Sequence, residues 1–291
     1  MTNDVFLVGG WDRFRAVSDD GIHWRHTNFS EKETLMCSGI ADGGGRCAML
    51  YKRGYFGKCI LDVSPDGKDW QEFEVDAKQV GHSLVYFGGQ FLVCTGKTIN
   101  SGHRPEVVLT EDGSQWSQPI RVGGRSIMTH YAQGNDRLVG VGPSGMAAMT
   151  TDARQWKVAD LKISDSMISL TFGNGRFVGG GLHGQAWISH DGLIWEKVNQ
   201  GDEGEHLNTM IWTGENFVGI GLGATYFSDD GRSWQRVANE DAPLTAVRND
   251  RGLYLGTQWK GRILSSDDGI AWKEQATLAR HVESIACVNL T

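Results

Sequence analysis

Ser228-Asp-Asp-Gly-Arg-Ser-Trp234 is the stretch that decides the fold. Its glycine supplies the positive φ that a tight hairpin turn needs, and the short Ser and Asp side chains hydrogen-bond nearby backbone and hold the turn. The tryptophan that follows offers a large apolar plate to the next structural unit. The same spacing, Ser/Thr-x-Asp-Gly-x-x-Trp, recurs at Ser18, Asp20, Gly21 and Trp24, at Ser64, Asp66, Gly67 and Trp70, and at Thr110, Asp112, Gly113 and Trp116. It returns at Ser189, Asp191, Gly192 and Trp195 and at Ser266, Asp268, Gly269 and Trp272. A degenerate copy has Thr150, Asp152 and Trp156 with Ala153 in the glycine position, where a methyl group should strain or reshape the turn. Seven carboxylates in seven equivalent turns read as structural groups rather than as metal ligands.

The seven tryptophans are separated by 46, 46, 40, 39, 39 and 38 residues, each close to one four-stranded propeller blade. A second element recurs upstream of the turn. Ser169-Leu-Thr-Phe-Gly-Asn-Gly-Arg-Phe-Val-Gly-Gly-Gly181 follows the same plan as the segments beginning at Thr209 and Ser83. Two β-type runs joined by a Gly/Asn turn are strands A and B; strand C ends in the Asp-Gly turn and strand D begins at the tryptophan.

The first copy lacks strand A, because Val5-Phe-Leu-Val-Gly-Gly10 already corresponds to strand B. Glu283-Ser-Ile-Ala-Cys-Val-Asn289 matches strand A and has no B, C or D after it. Counted through both ends, the closing interval is 43 residues, inside the range of the others. The expectation is therefore an all-β chain, a single seven-bladed β-propeller of four-stranded antiparallel blades, its ring closed by C-terminal strand A pairing with N-terminal strand B. Blade 1 takes residues 1–30 plus 280–291, blade 2 31–77, blade 3 78–122, blade 4 123–162, blade 5 163–201, blade 6 202–240 and blade 7 241–279.

Composition agrees. Forty glycines among 291 residues, with no Gly-X-Y period, fit many short strands and tight turns. No apolar run approaches the roughly 18 residues that span a bilayer. The net charge of −7 repels phosphate backbones and anionic lipid, so neither nucleic acid nor membrane is an expected partner. Residues 1–10 show neither a basic n-region nor a long apolar h-region. The expected location is cytoplasmic, or secreted if a leader has been trimmed. Cys37, Cys47, Cys59, Cys94 and Cys287 lack CxxC or zinc-finger spacing and read as buried thiols.

The repeated turn and the strand pattern resemble the Asp-box (BNR) propellers, a superfamily that includes sialidases, some glycoside hydrolases, the sortilin ectodomain and photosystem II assembly factors. The resemblance covers the whole chain. It implies that the turns lie on the face opposite the ligand site. Sialidases of this superfamily have six blades, an arginine triad, a nucleophilic Tyr with a Glu, and an acid/base Asp. This chain has seven blades and no Arg-Ile-Pro type motif early in the sequence, and no spacing selects three of Arg13, Arg53, Arg104, Arg125 and Arg262 as a triad.

Strands alternate direction, so the D–A and B–C connections share the face opposite the Asp turns, here the top. Aligned on strand A, the blades place a small hydroxyl residue in register: Ser38, Ser83, Thr129, Ser169, Thr209, Thr245 and Ser284. Their expected task is to line a narrow, water-filled channel. Just before them the blades stop agreeing, and His82, His206, Asn208, His281 and Glu283 are the polar exceptions. Three histidines and a carboxylate near one axis would suit a metal or a general acid/base pair, but without local spacing such as HExxH no metal, cofactor or catalytic residue is assigned.

The B–C loops differ most, as expected where recognition is placed on a rigid frame. Blade 1 offers Trp11 and Arg13, blade 2 Tyr51, Arg53 and Tyr55, and blade 3 a long insert with His103 and Arg104. Blade 5 adds His183, and blade 7 adds Trp259, Lys260 and Arg262. Blades 7, 1, 2 and 3 are neighbours, so their loops form an aromatic and basic patch suited to stacking on sugar rings, anchoring a protein or gripping carboxylates. The expected function is non-catalytic recognition of a glycan or protein partner through the top face. The alternatives are a carbohydrate-active enzyme, with candidate carboxylates Glu205, Glu283, Asp165 and Asp241, or an assembly scaffold.

Overall fold

The computed structural model describes residues 4–53, 58–77, 79–96, 105–159, 161 and 165–289. At the turns, the Ser64 hydroxyl accepts the Gly67 N–H at 2.8 Å, while Asp66 Oδ1 accepts the N–H groups of Lys68 and Asp69, each at 2.9 Å. Asp191, Asp230 and Asp268 make the same pair of bonds. The degenerate turn keeps this shape: Arg154 and Gln155 donate to Asp152 Oδ1, and Ala153 adopts φ +60°. Its methyl group strains the turn without reshaping it.

Each turn joins the third and fourth strands of a four-stranded antiparallel sheet, and seven such sheets form the ring of a β-propeller. Blade 1 is completed across the chain ends. Strand Val282–Asn289 pairs with Asp4–Gly10, placing Cys287 opposite Phe6 and Ile285 opposite Val8. Among the described residues no helix is long and apolar enough to cross a membrane.

The core is divided into seven wedges, one per seam between blades. Trp70 of blade 2 packs with Val5, Leu7 and Val17 of blade 1, and Trp272 of blade 7 packs with Val218 and Ile220 of blade 6. The tryptophans thus serve the preceding blade, not the following one. Cys37, Cys47, Cys59 and Cys94 are buried in these wedges, and burial pushes the Cys37 and Cys47 thiols up to about 12.

The inner strands carry a feature that the sequence concealed. In five blades strand A bulges, so that Ser38, His82, Ile168, Asn208 or Glu283 is left without a partner on strand B. In blades 4 and 7, Thr129 and Leu244 occupy the same place, donating their N–H groups to the carbonyls of Val141 and Thr257, whose strand partners are His130 and Thr245. The hydroxyl register therefore holds for Ser83, Ser169, Thr209, Thr245 and Ser284 but fails in two blades. Gly39 stands there in blade 2 and His130 in blade 4, with Ser38 and Thr129 one residue earlier.

The hydroxyls that keep the register are mainly joints. Ser83 Oγ donates to the Met128 carbonyl of the next blade at 2.7 Å, Ser169 Oγ to the Leu207 carbonyl at 2.6 Å, and Thr209 Oγ1 accepts the Ala246 N–H at 3.0 Å. All three are buried; against expectation Ser169 and Thr209 stand back from the ring's central cavity, whereas Ser83 borders it together with Ser38, Thr129, Thr245 and Ser284, as the sequence led us to expect.

Candidate functional site on the top face

The inner strands enclose a central cavity of about 890 Å³, and each of the seven bulged residues borders it. A bulge re-aims one side chain out of the ladder, so each blade contributes one variable group at a similar height. Lys52 and His206 join them.

Beside Glu283 of the cavity wall, on the seam of blades 7 and 1, three rings meet. Trp259 and His281 have centroids 4.4 Å apart, Trp11 lies 5.5 Å from His281, and the two indoles stand edge-on at 5.9 Å. The local backbone imposes this. Trp11 N–H donates to the His281 carbonyl at 3.0 Å, and a Cβ on Gly10 would lie 1.9 Å from that oxygen, so only glycine lets the turn come so close. Gln258 Oε1 accepts the Trp259 N–H at 3.0 Å, and Lys260 completes the turn at φ +65°. Trp11 Nε1 donates to Glu283 Oε1, and His281 Nε2 lies 3.5 Å from the same oxygen. The indoles stay open to solvent, Trp259 at 51% and Trp11 at 39%.

Three arginines at the expected patch are not free. Arg13 and Arg15 of blade 1 both bond Asp62 of blade 2, and Arg13 also meets Glu72 at 2.6 Å. Arg262 is held by Asp241 at 2.6 Å and Glu274 at 2.7 Å. Tyr51 is a correction: it is fully buried, with its hydroxyl donating to the Phe14 carbonyl at 3.3 Å, because it lies inside strand Arg46–Lys52 rather than in the loop after it. Arg53 is exposed; Tyr55, His103 and Arg104 lie outside the described residues.

The histidines do not converge. His82 Nε2 is 2.9 Å from the Gly96 carbonyl, and its pKa is lowered by burial. His206 pairs instead with His183, their rings 5.2 Å apart, its Nδ1 accepting the His183 N–H at 3.2 Å. His281 belongs to the tryptophan cluster. Among the described residues no group of three or more His, Cys, Asp or Glu side chains is placed to share a metal ion.

The candidate carboxylates are dispersed as well. Glu205 is buried and takes hydrogen bonds from Tyr226 and Arg236. Arg236 lowers the Glu205 pKa, while burial and the carboxylate push the Tyr226 hydroxyl up to about 12. This Tyr–Glu pair does not border the central cavity and braces the loops of blades 5 and 6, its Glu205 carbonyl accepting the Gly184 N–H. Asp165 lies 4.0 Å from Lys197, and Asp241 is tied to Arg262. Asp42 and Glu283 do border the cavity, but at opposite ends of the inner strands, Asp42 accepting the Asn289 N–H at 3.1 Å.

Sequence reasoning passed over three exposed apolar residues on the top face: Leu222, Leu244 and Phe29. With Trp259 and Trp11 they form an arc over blades 6, 7 and 1, away from blades 2 and 3. No periodic signal marks them, since each sits in a connection between strands.

No family model matches the chain, and no curated protein matches it in sequence. Solved structures do. The chain is similar to "YCF48 bound to D1 peptide", with a TM-score of 0.63 and 15% identity over 95% of this chain and 90% of that one. It is also similar to "YCF48 from Cyanidioschyzon merolae", with a TM-score of 0.56 and 14% identity over 92% of this chain and 95% of that one. At such identity the likeness is one of fold: the chain is a seven-bladed propeller of the shape these proteins share.

Proposed function

We propose that this chain is a non-catalytic recognition propeller that holds an extended peptide segment of a protein partner across the top of blades 6, 7 and 1. The observation that carries the reading is the arc of Leu222, Leu244, Trp259, Trp11 and Phe29 on the top face, five of the eight large apolar side chains left exposed among the described residues; the others, Ile22, Val158 and Ile194, lie apart from it. Exposed apolar side chains beside a cavity favour an interaction site, and tryptophan is a frequent anchor of such interfaces. A propeller of similar shape, YCF48 bound to a D1 peptide, supports this use of the fold. The glycan half of the sequence expectation has no comparable support.

An array of immobilised peptides, with a glycan array beside it, tests the proposal. Peptide ligands should be found, and the double variant Trp11→Ala/Trp259→Ala should lose them while keeping its melting temperature within a few degrees. A folded double variant with full affinity for the same peptides would end this reading, and hits confined to the glycan array would replace it with a lectin.

A further inference from the structure

The top-face cluster was expected to be basic, but its arginines in blades 7 and 1 are already paired with carboxylates. Arg13 is neutralised by Asp62 and Glu72, Arg262 by Asp241 and Glu274, and Arg280 by Asp12 at 2.9 Å. Glu283 has no such partner. Its Oε1 takes the Trp11 indole N–H and lies 3.5 Å from His281 Nε2, a countercharge only when that ring is protonated, and no lysine or arginine pairs with it among the described residues. Its Oε2 makes no hydrogen bond or ion pair there either. Glu283 is thus a solvent-exposed carboxylate on the cavity wall, beside two half-open indoles, that is open to an incoming cation.

We propose that this corner binds a cationic side chain, specifically an arginine guanidinium that stacks on Trp11 or Trp259 and pairs with Glu283. The identity of the bound segment rests on the peptide reading above; the preference for a cation rests on this cluster. Indole faces carry negative quadrupole charge and attract cations, and a planar guanidinium stacks on a ring while forking to a carboxylate, which an ammonium does less well. Trp11 holds Glu283 in place through one oxygen and leaves the other for the ligand. Lys260, next to Trp259, opposes the ligand's charge; its removal should strengthen binding.

The test uses the full chain and two small probes, N-acetylarginine amide and its neutral isostere N-acetylcitrulline amide, titrated while the indole N–H signals of Trp11 and Trp259 are followed by NMR. Saturable shifts with the arginine compound, at least about tenfold weaker with citrulline and with Glu283→Gln, are expected. Glu283→Gln keeps an acceptor for Trp11, so the cluster stays assembled; Lys260→Ala should bind the arginine probe more tightly. Equal shifts with both probes, no shift at all, or indifference to Glu283→Gln would overturn the proposal. The peptide array separates the two readings. Array hits that need Trp11 and Trp259 but show no enrichment in arginine would leave peptide recognition standing and remove the cation site. A blank array with a positive arginine titration would do the reverse.

Discussion

Arg13 reaches from blade 1 to lay its guanidinium on Asp62 of blade 2, Nε on Oδ2 at 3.1 Å and Nη2 on Oδ1 at 2.5 Å. Asp62 is wholly buried, and Arg15 closes the other side of the same carboxylate at 2.8 Å. Replacing Asp62 with Asn would leave Arg15 in the seam without its countercharge and Arg13 held by Glu72 and Glu33 at the seam's edge. The expected loss is about 3 kcal/mol, read as a lower urea midpoint with an unchanged m-value. An unchanged midpoint would mean that the seam does not depend on this contact.

The equivalent turn positions 192 and 153 should respond oppositely to the same methyl group. Gly192 has φ +78°, and a Cβ there would lie 2.4 Å from Val139 of the preceding blade. Gly192→Ala should cost about 1–3 kcal/mol through left-handed strain and overpacking. Ala153 is already buried within its seam. Ala153→Gly relieves about 1 kcal/mol of strain but loses about 0.8 kcal/mol of methyl burial and frees the unfolded chain, so its net effect should stay within about 1 kcal/mol of zero. Equal responses in thermal melts would contradict this assignment of the strain.

Acid should weaken the protein in two windows. Burial lowers the His130 pKa to about 4, against 6.5 for the free side chain. The folded state therefore resists a proton that the unfolded chain accepts, and up to about 3 kcal/mol is lost as the pH falls from about 6.5 to 4. Below that, Asp66, Asp230 and Asp268 take over, because backbone N–H donors hold their carboxyls below the usual range; their contribution is present above pH 4 and disappears as the pH falls through the lowered values. Urea midpoints measured from pH 7 to pH 2 check both. His130→Ser, which places there the residue that Ser83 supplies in blade 3, should flatten the first window and leave the second.

Removing residues 282–291 would delete the inner strand of blade 1 and uncover the length of Asp4–Gly10, together with the cavities left by Val282, Ile285 and Val288. Loss of cooperative melting and aggregation on a sizing column are expected. A synthetic peptide of the deleted strand should restore part of the melting transition; a truncated chain that melts like the parent would refute closure by this pairing.

The fold was legible because its punctuation is local. A Ser, an Asp and a Gly within four residues specify a turn wherever they occur, and the tryptophans count the blades. The one-residue error at Ser38 and Thr129 has an equally physical cause: in those two blades the hydroxyl residue occupies the unpaired position itself, and residue type alone does not tell that position from the paired one after it. Trp11, Trp259, His281 and Glu283 were recognisable as variable positions in top loops. That Arg13 and Arg262 were already paired was not, because Asp62 lies 49 residues from Arg13 and Asp241 lies 21 from Arg262. Charge neutralisation of that kind exists only once blades and loops meet.

The bulged residues carry an evolutionary consequence. Each of Ser38, His82, Thr129, Ile168, Asn208, Leu244 and Glu283 belongs to a different repeat and stands outside the strand ladder that its neighbours build. One codon can change at any of them without disturbing the other six or the wedges behind them. The inner wall of the ring thus behaves as a set of independent dials, on which selection can try new chemistry at little risk to the frame.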